Sequence, residues 1–155
     1  MNDILAKKQG HDYFMAKALQ LARKAKDEDE VPVGCVIVKD RKIIAQASNQ
    51  VEKLNDSTAH AEMIAITQAE AFLKSKWLKG CSLYVTIEPC LMCACALVLC
   101  RIDKVFFASP EPRSGAFGSV VDINRLGLNH RIEVVSGIRR EESAALIKGF
   151  FAAKR

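Results

Sequence analysis

Two short clusters, His60-Ala61-Glu62 and Pro89-Cys90-Leu91-Met92-Cys93, constrain this chain more tightly than any bulk property. One imidazole and two thiols are metal-binding side chains, so a shared ion requires two stretches about 30 residues apart to meet at one point. A structural zinc site is normally closed by four protein ligands, whereas a hydrolytic one keeps a position open for water. His60, Cys90 and Cys93 leave that position open, and Glu62 is spare, placed to move protons for a bound water. Zn²⁺ is the ion expected.

The spacing carries a geometric condition. Cys90 and Cys93, at i and i+3, share one side of a first helical turn, where free N–H groups and the helix dipole favour thiolates. His60 and Glu62 would diverge by about 200° on an ideal helix, given 3.6 residues per turn. Both reach one ion only if a helix starts within about two residues of His60.

The rest of the sequence reads as one domain over 1–155. Half of the 155 residues are hydrophobic, enough for a full core. No apolar run approaches the roughly 20 residues of a membrane span. The opening residues lack a secretory pattern, so a cytoplasmic address is expected. In that setting a Cys-x-x-Cys reads as metal or redox chemistry; the upstream His-x-Glu argues against a thioredoxin-like redox pair. The net charge of +5 is compatible with a polyanionic partner without demanding one.

Apolar spacing predicts a helix over about 11–28 (Phe14, Ala18, Leu21, Ala22, Ala25) and a hairpin of buried strands over 33–38 and 43–47. A second helix is predicted over 59–74, capped by Asp56, Ser57 or Thr58. Strands follow at 82–87, 104–108 and 131–135. A helix opened by Pro89 is expected to run to Arg101, and another fills 138–154. The alternation predicts an α/β fold, with helices on both faces of one sheet. The loop 109–119, with two prolines and two glycines, is either a substrate-contacting segment or a plain crossover. Cys35, Cys81, Cys95 and Cys100 read as buried, inert thiols, and His11 and His130 as surface or capping residues. Glu88 is a candidate partner to the ligand shell, and Asn49 either a turn residue or a purine-edge contact.

His-x-Glu followed by Pro-Cys-x-x-Cys matches the signature of the zinc-dependent nucleobase deaminases. The chain further resembles the bacterial tRNA-specific adenosine deaminase family nearly end to end. The resemblance is carried by Glu30-Val-Pro-Val-Gly34, Thr58-Ala-His-Ala-Glu62, Leu83-Tyr-Val-Thr-Ile-Glu-Pro-Cys90 and Met92-Cys-Ala94, with Arg101-Ile102. Ser114-Gly-Ala-Phe-Gly-Ser119, Leu128-Asn-His-Arg131 and Phe150-Phe151 extend it, and these residues point to the tRNA branch. The resemblance implies a three-layer α/β/α cytidine deaminase-like fold built on a five-stranded mixed sheet, and a homodimer. It implies hydrolytic deamination of the wobble adenosine in a tRNA anticodon stem-loop, giving inosine. His60, Cys90 and Cys93 would hold one zinc per subunit and Glu62 would be the general acid and base. Asn49 would contact the adenine, and Arg113, Phe151, Lys154 and Arg155 flanking nucleotides. The chain departs from the family at Cys95, where glycine is usual, and at Glu111, where aspartate is frequent; it ends shortly after Phe151, so a longer basic tail is not expected. A free-base or nucleotide deaminase with the same zinc chemistry, and a zinc-stabilised RNA-binding module with a fourth protein ligand, are the competing readings.

Overall fold

The computed structural model describes residues 3–155, with side chains from Gly10 onward. Its centre is a five-stranded sheet in the order β2-β1-β3-β4-β5. The strands are β1 (Gly34–Lys39), β2 (Lys42–Ser48), β3 (Cys81–Ile87), β4 (Lys104–Ser109) and β5 (Glu133–Ser136). β1 runs antiparallel to both β2 and β3, while β3, β4 and β5 are mutually parallel, so the sheet is mixed. The hairpin closes through Asp40 and Arg41, both at positive φ (50° and 65°), as a tight two-residue connection requires.

Strand alternation explains why the apolar runs are nearly continuous. Cys35, Ile37, Leu83, Val85, Val105 and Phe107 face one core, under α3 (Ala61–Leu73) and α4 (Leu91–Leu99). Val36, Val38, Tyr84, Phe106 and Ala108 face the other, under α1 (Asp3–Asp27) and α5 (Arg140–Ala153). Helices cover both faces, which is the three-layer α/β/α arrangement expected. At Gly34 the sheet comes so close to α1 that an added Cβ would stand 2.2 Å from the carbonyl oxygen of Ala18.

Several expected boundaries move, for identifiable reasons. α1 begins well before residue 11 and runs through Gly10, ahead of any apolar periodicity. The helix expected to start at Ala59 starts at Ala61; Asp56 does not cap it but folds back onto the N–H and hydroxyl of Thr58. Pro89 lies outside its helix, because Cys90 is the N-cap and Leu91 the first helical residue. That helix ends at Leu99, with Arg101 in the left-handed conformation (φ 62°). β5 starts at Glu133, and α5 starts at Arg140 behind a left-handed Arg139. The short α2 (Val51–Leu54) and a 3-10 turn at Ile123–Arg125 gave no sequence signal.

His11 packs inward against side chains rather than standing at the surface or capping, whereas His130 meets the capping expectation at a backbone carbonyl. His11 Nδ1 lies 2.6 Å from the Tyr84 hydroxyl, with its ring against Phe106, and His130 Nε2 lies 2.6 Å from the Ile102 carbonyl oxygen. α5 is fastened at its start. Arg139 donates two bonds to Asp12 on α1 (2.8 and 2.9 Å), and the buried Ser143 hydroxyl donates to the Thr86 carbonyl at the end of β3.

Candidate active site

The start of β1, the ends of β2 and β3, the starts of α3 and α4, and the last turns of α5 surround one open cleft of about 1190 Å³. Its floor carries His60, Glu62 and Cys90. His60 is the N-cap of α3, with extended backbone (φ −71°, ψ 150°), and Glu62 is the second helical residue. The apparent 200° conflict disappears because His60 is outside the helical twist, as the sequence required.

Cys90 repeats the arrangement as N-cap of α4, with Cys93 three residues on and fully buried. His60 Nδ1 lies 3.6 Å from Cys90 Sγ and 3.5 Å from Cys93 Sγ, and the three ligand atoms lie within 4.8 Å of one another. A tetrahedral zinc with Zn–S of about 2.3 Å and Zn–N of about 2.0 Å sets nitrogen and sulfur about 3.5 Å apart. The donor set therefore fits zinc in both chemistry and spacing. No fourth His, Cys, Asp or Glu joins this group among the described residues. That agrees with an open hydrolytic site and disfavours the closed structural one.

The electrostatics follow from burial at two helix starts. Glu62 is 3% exposed, and burial pushes its carboxyl up to about 7, against the pull of the neighbouring His60. Hydrogen bonds from Cys93 and His60 bring the Cys90 thiol down to about 4, as expected for a thiolate at a helix N-terminus. Cys93, which gives its hydrogen bond to Cys90, is raised, and His60 is raised by its bond to Cys90.

The remaining sequence candidates divide. Asn49 is 6% exposed and lines the same cleft; its backbone N–H is held by the Val33 carbonyl (3.0 Å). Phe151 and Lys154 stand on the rim, where Lys154 pairs with Asp29 across the opening and lies over the Phe150 ring. Arg113 and Arg155 do not line this cleft. They border an adjoining one of about 910 Å³ that shares Glu111, Ser114, Phe151 and Lys154 with it. Cys35, Cys81 and Cys100 are buried and Cys95 is half-buried against the α3–α4 core.

The residue the sequence underrated is Glu88, 2% exposed. It accepts hydrogen bonds from the N–H groups of Glu111, Phe117 and Ser119. The 109–119 segment is thereby tied beside the metal ligands, and Gly115 pairs directly with Cys90. Glu111 and Ser114 of this loop line the cleft. Its neighbourhood to Cys90 in the Glu-Pro-Cys run was the available clue.

Residues 8–109 match the model of the cytidine and deoxycytidylate deaminase zinc-binding region. The chain is 47% identical to the tRNA-specific adenosine deaminase of Aquifex aeolicus (strain VF5), over 94% of its own length and 97% of the relative. It is 42% identical to the enzyme of that name from Agrobacterium fabrum, covering 92% and 95%. A solved structure from work on A-to-I editing by tRNA:A34 deaminases at the wobble position of transfer RNA superposes with a TM-score of 0.83. That pair is 41% identical and covers 86% of this chain and 98% of the other. With this fold and this His-Cys-Cys group, the chain belongs to the cytidine and deoxycytidylate deaminase zinc-binding family and, within it, to the tRNA-specific adenosine deaminases.

Proposed function

We propose that this chain, acting as one domain over 1–155, hydrolyses the exocyclic amine of the wobble adenosine, position 34, in a tRNA anticodon stem-loop to give inosine. The observation that carries the reading is the cleft itself: Glu62 and the open side of the His60, Cys90 and Cys93 group face a space rimmed by Phe151 and Lys154. His60, Cys90 and Cys93 would hold the zinc, which would supply Lewis acidity toward the attacking water. Glu62 moves two protons in turn. The first goes from the attacking water to purine N1; the second goes from the new C6 hydroxyl to the departing amine, so ammonia leaves and inosine keeps its N1–H. Its carboxyl is poised for both roles because burial raises it to about 7.

Asn49 offers a side-chain amide to the purine edge from the cleft wall. Phe151 offers a face for a flanking base, and Lys154, Arg113 and Arg155 offer charge to flanking phosphates. Lys154 would exchange its partner Asp29 for a phosphate as RNA enters. Homodimerisation is supported by exposed large apolar side chains on α3 and α4: Phe72 is 66% and Leu99 77% exposed, with Leu91 also exposed. The cytoplasm, where tRNA is processed, is the place of work. No helix among the described residues is long and apolar enough to cross a membrane.

The test is inosine detection at position 34 of a tRNA treated with wild-type protein or Glu62→Ala. The wild type converts it and the variant does not, while keeping its zinc. Ammonia release from free bases or nucleosides alone, with no conversion of the stem-loop, would overturn the reading.

A further inference from the structure

Two carboxylates that this chemistry does not use are buried beside the cleft. Glu30 is 1% and Glu88 2% exposed, and neither has an ion-pair partner among the described residues. A buried carboxylate without a cation is unfavourable unless donors surround it. Here the donors are almost all backbone amides, and they belong to the two segments that wall the cleft.

Glu30 accepts from the N–H of Glu52 (2.9 Å) and of Lys53 (2.8 Å). These are the second and third residues of α2, the amides an N-cap side chain would satisfy, and Gln50 at the N-cap makes no such bond. A four-residue helix is far too short to stand unaided. Its cap is supplied from 22 residues upstream. Because Asn49 is joined to α2 through the N-cap Gln50 alone, holding α2 also holds Asn49.

Glu88 accepts from Glu111 N–H (3.1 Å), Phe117 N–H (2.9 Å), Ser119 N–H (3.2 Å) and the Ser119 hydroxyl. Gly115 crosses directly over it: a Cβ there would stand 2.3 Å from the carboxyl carbon. The loop is wrapped around the carboxylate.

We propose that Glu30 and Glu88 are positioning residues from which the two walls of the substrate cleft hang, α2 with Asn49 on one side and the 109–119 loop on the other. What the walls receive rests on the tRNA reading above; that they hang from these carboxylates does not. Glutamine keeps the volume of either side chain but turns one acceptor into an NH₂ that faces N–H donors.

The experiment is hydrogen exchange and stem-loop kinetics on zinc-loaded Glu88→Gln and Glu30→Gln. Glu88→Gln exchanges the amides of 111, 117 and 119 about tenfold faster and leaves those of 52 and 53 unchanged; Glu30→Gln does the reverse. In each, KM for an anticodon stem-loop rises about tenfold, kcat falls by less than about threefold, and zinc content stays at the wild-type value. Ser119→Ala, on the exposed loop, gives the weaker form of the Glu88 pattern and serves if Glu88→Gln does not fold. Unchanged exchange at both walls, faster exchange spread evenly over the sheet, or an unmoved KM would each overturn the proposal. Selective deprotection in a protein whose wild type leaves the stem-loop unconverted would uphold the anchoring and overturn the substrate reading instead.

Discussion

The metal corner and the walls around it are built by opposite means. The corner is local: His60 and Cys90 each open a helix, and Glu62 and Cys93 follow within the first turn. The walls are remote: α2 is capped from Glu30, the 109–119 loop is gathered by Glu88, and the α5 rim is fastened by Ser143 to the end of β3. The ligand corner is thus encoded in two short runs of sequence, whereas the shape of the cleft around it is encoded in long-range contacts between a side chain and a backbone.

The largest effect expected isolates the corner. Glu62→Ala lowers kcat by about 10²–10⁴ or more with zinc retained and both walls intact, read from turnover and metal content together. If that variant lost its zinc, Glu62 would belong to the ligand set and the corner would need redrawing. Next comes metal removal: chelation abolishes turnover, re-addition restores it, and circular dichroism retains the helix and sheet signal. The cores that seat the helices contain mostly apolar residues remote from the ligands, so complete unfolding on chelation would break the division between corner and frame.

The rim comes third. Phe151→Ala weakens stem-loop binding by about 1–3 kcal/mol, seen as a raised KM at nearly constant kcat, if the ring stacks on a base. An equal fall in kcat would move Phe151 from rim to corner. Smaller again, Ser143→Ala removes two buried hydrogen bonds, to the Thr86 carbonyl and to the Ser109 hydroxyl, and lowers stability by about 1–2 kcal/mol, measured by urea unfolding.

The smallest is a pH effect far from the site. Burial, and then the Lys104 charge, lower the pKa of His11 below its ordinary 6.5. The unfolded chain therefore binds that proton more readily than the folded one. The stability contribution is present above about pH 6.5 and is lost as pH falls toward the folded pKa. Urea midpoints measured across that window should flatten in His11→Gln.

The same contrast decides what could be read in advance. The requirement that His60 open its helix followed from the angle between residues two apart, and the structure meets it. Both apolar faces of the sheet were visible as continuous runs because every inner strand is covered twice. α2 was invisible: four residues carry no periodicity, and its cap lies beyond any local window. Glu88 stood in plain view next to Pro89, but a carboxylate gives no sign of which amides will reach it. His11 read as a surface or capping residue because its partner, Tyr84, is 73 residues away.

Backbone N–H groups belong to every amino acid except proline. Since Glu88 grips the loop mainly through the amides of 111, 117 and 119, side chains in that segment can be exchanged while its path is kept. Gly115, pressed against the carboxylate, is the fixed point. The loop is in that sense an interchangeable cassette: new surface chemistry can be written at the exposed Pro112 and Arg113, whereas Phe117 packs against the core. Proline at 117 or 119 would break the hold outright.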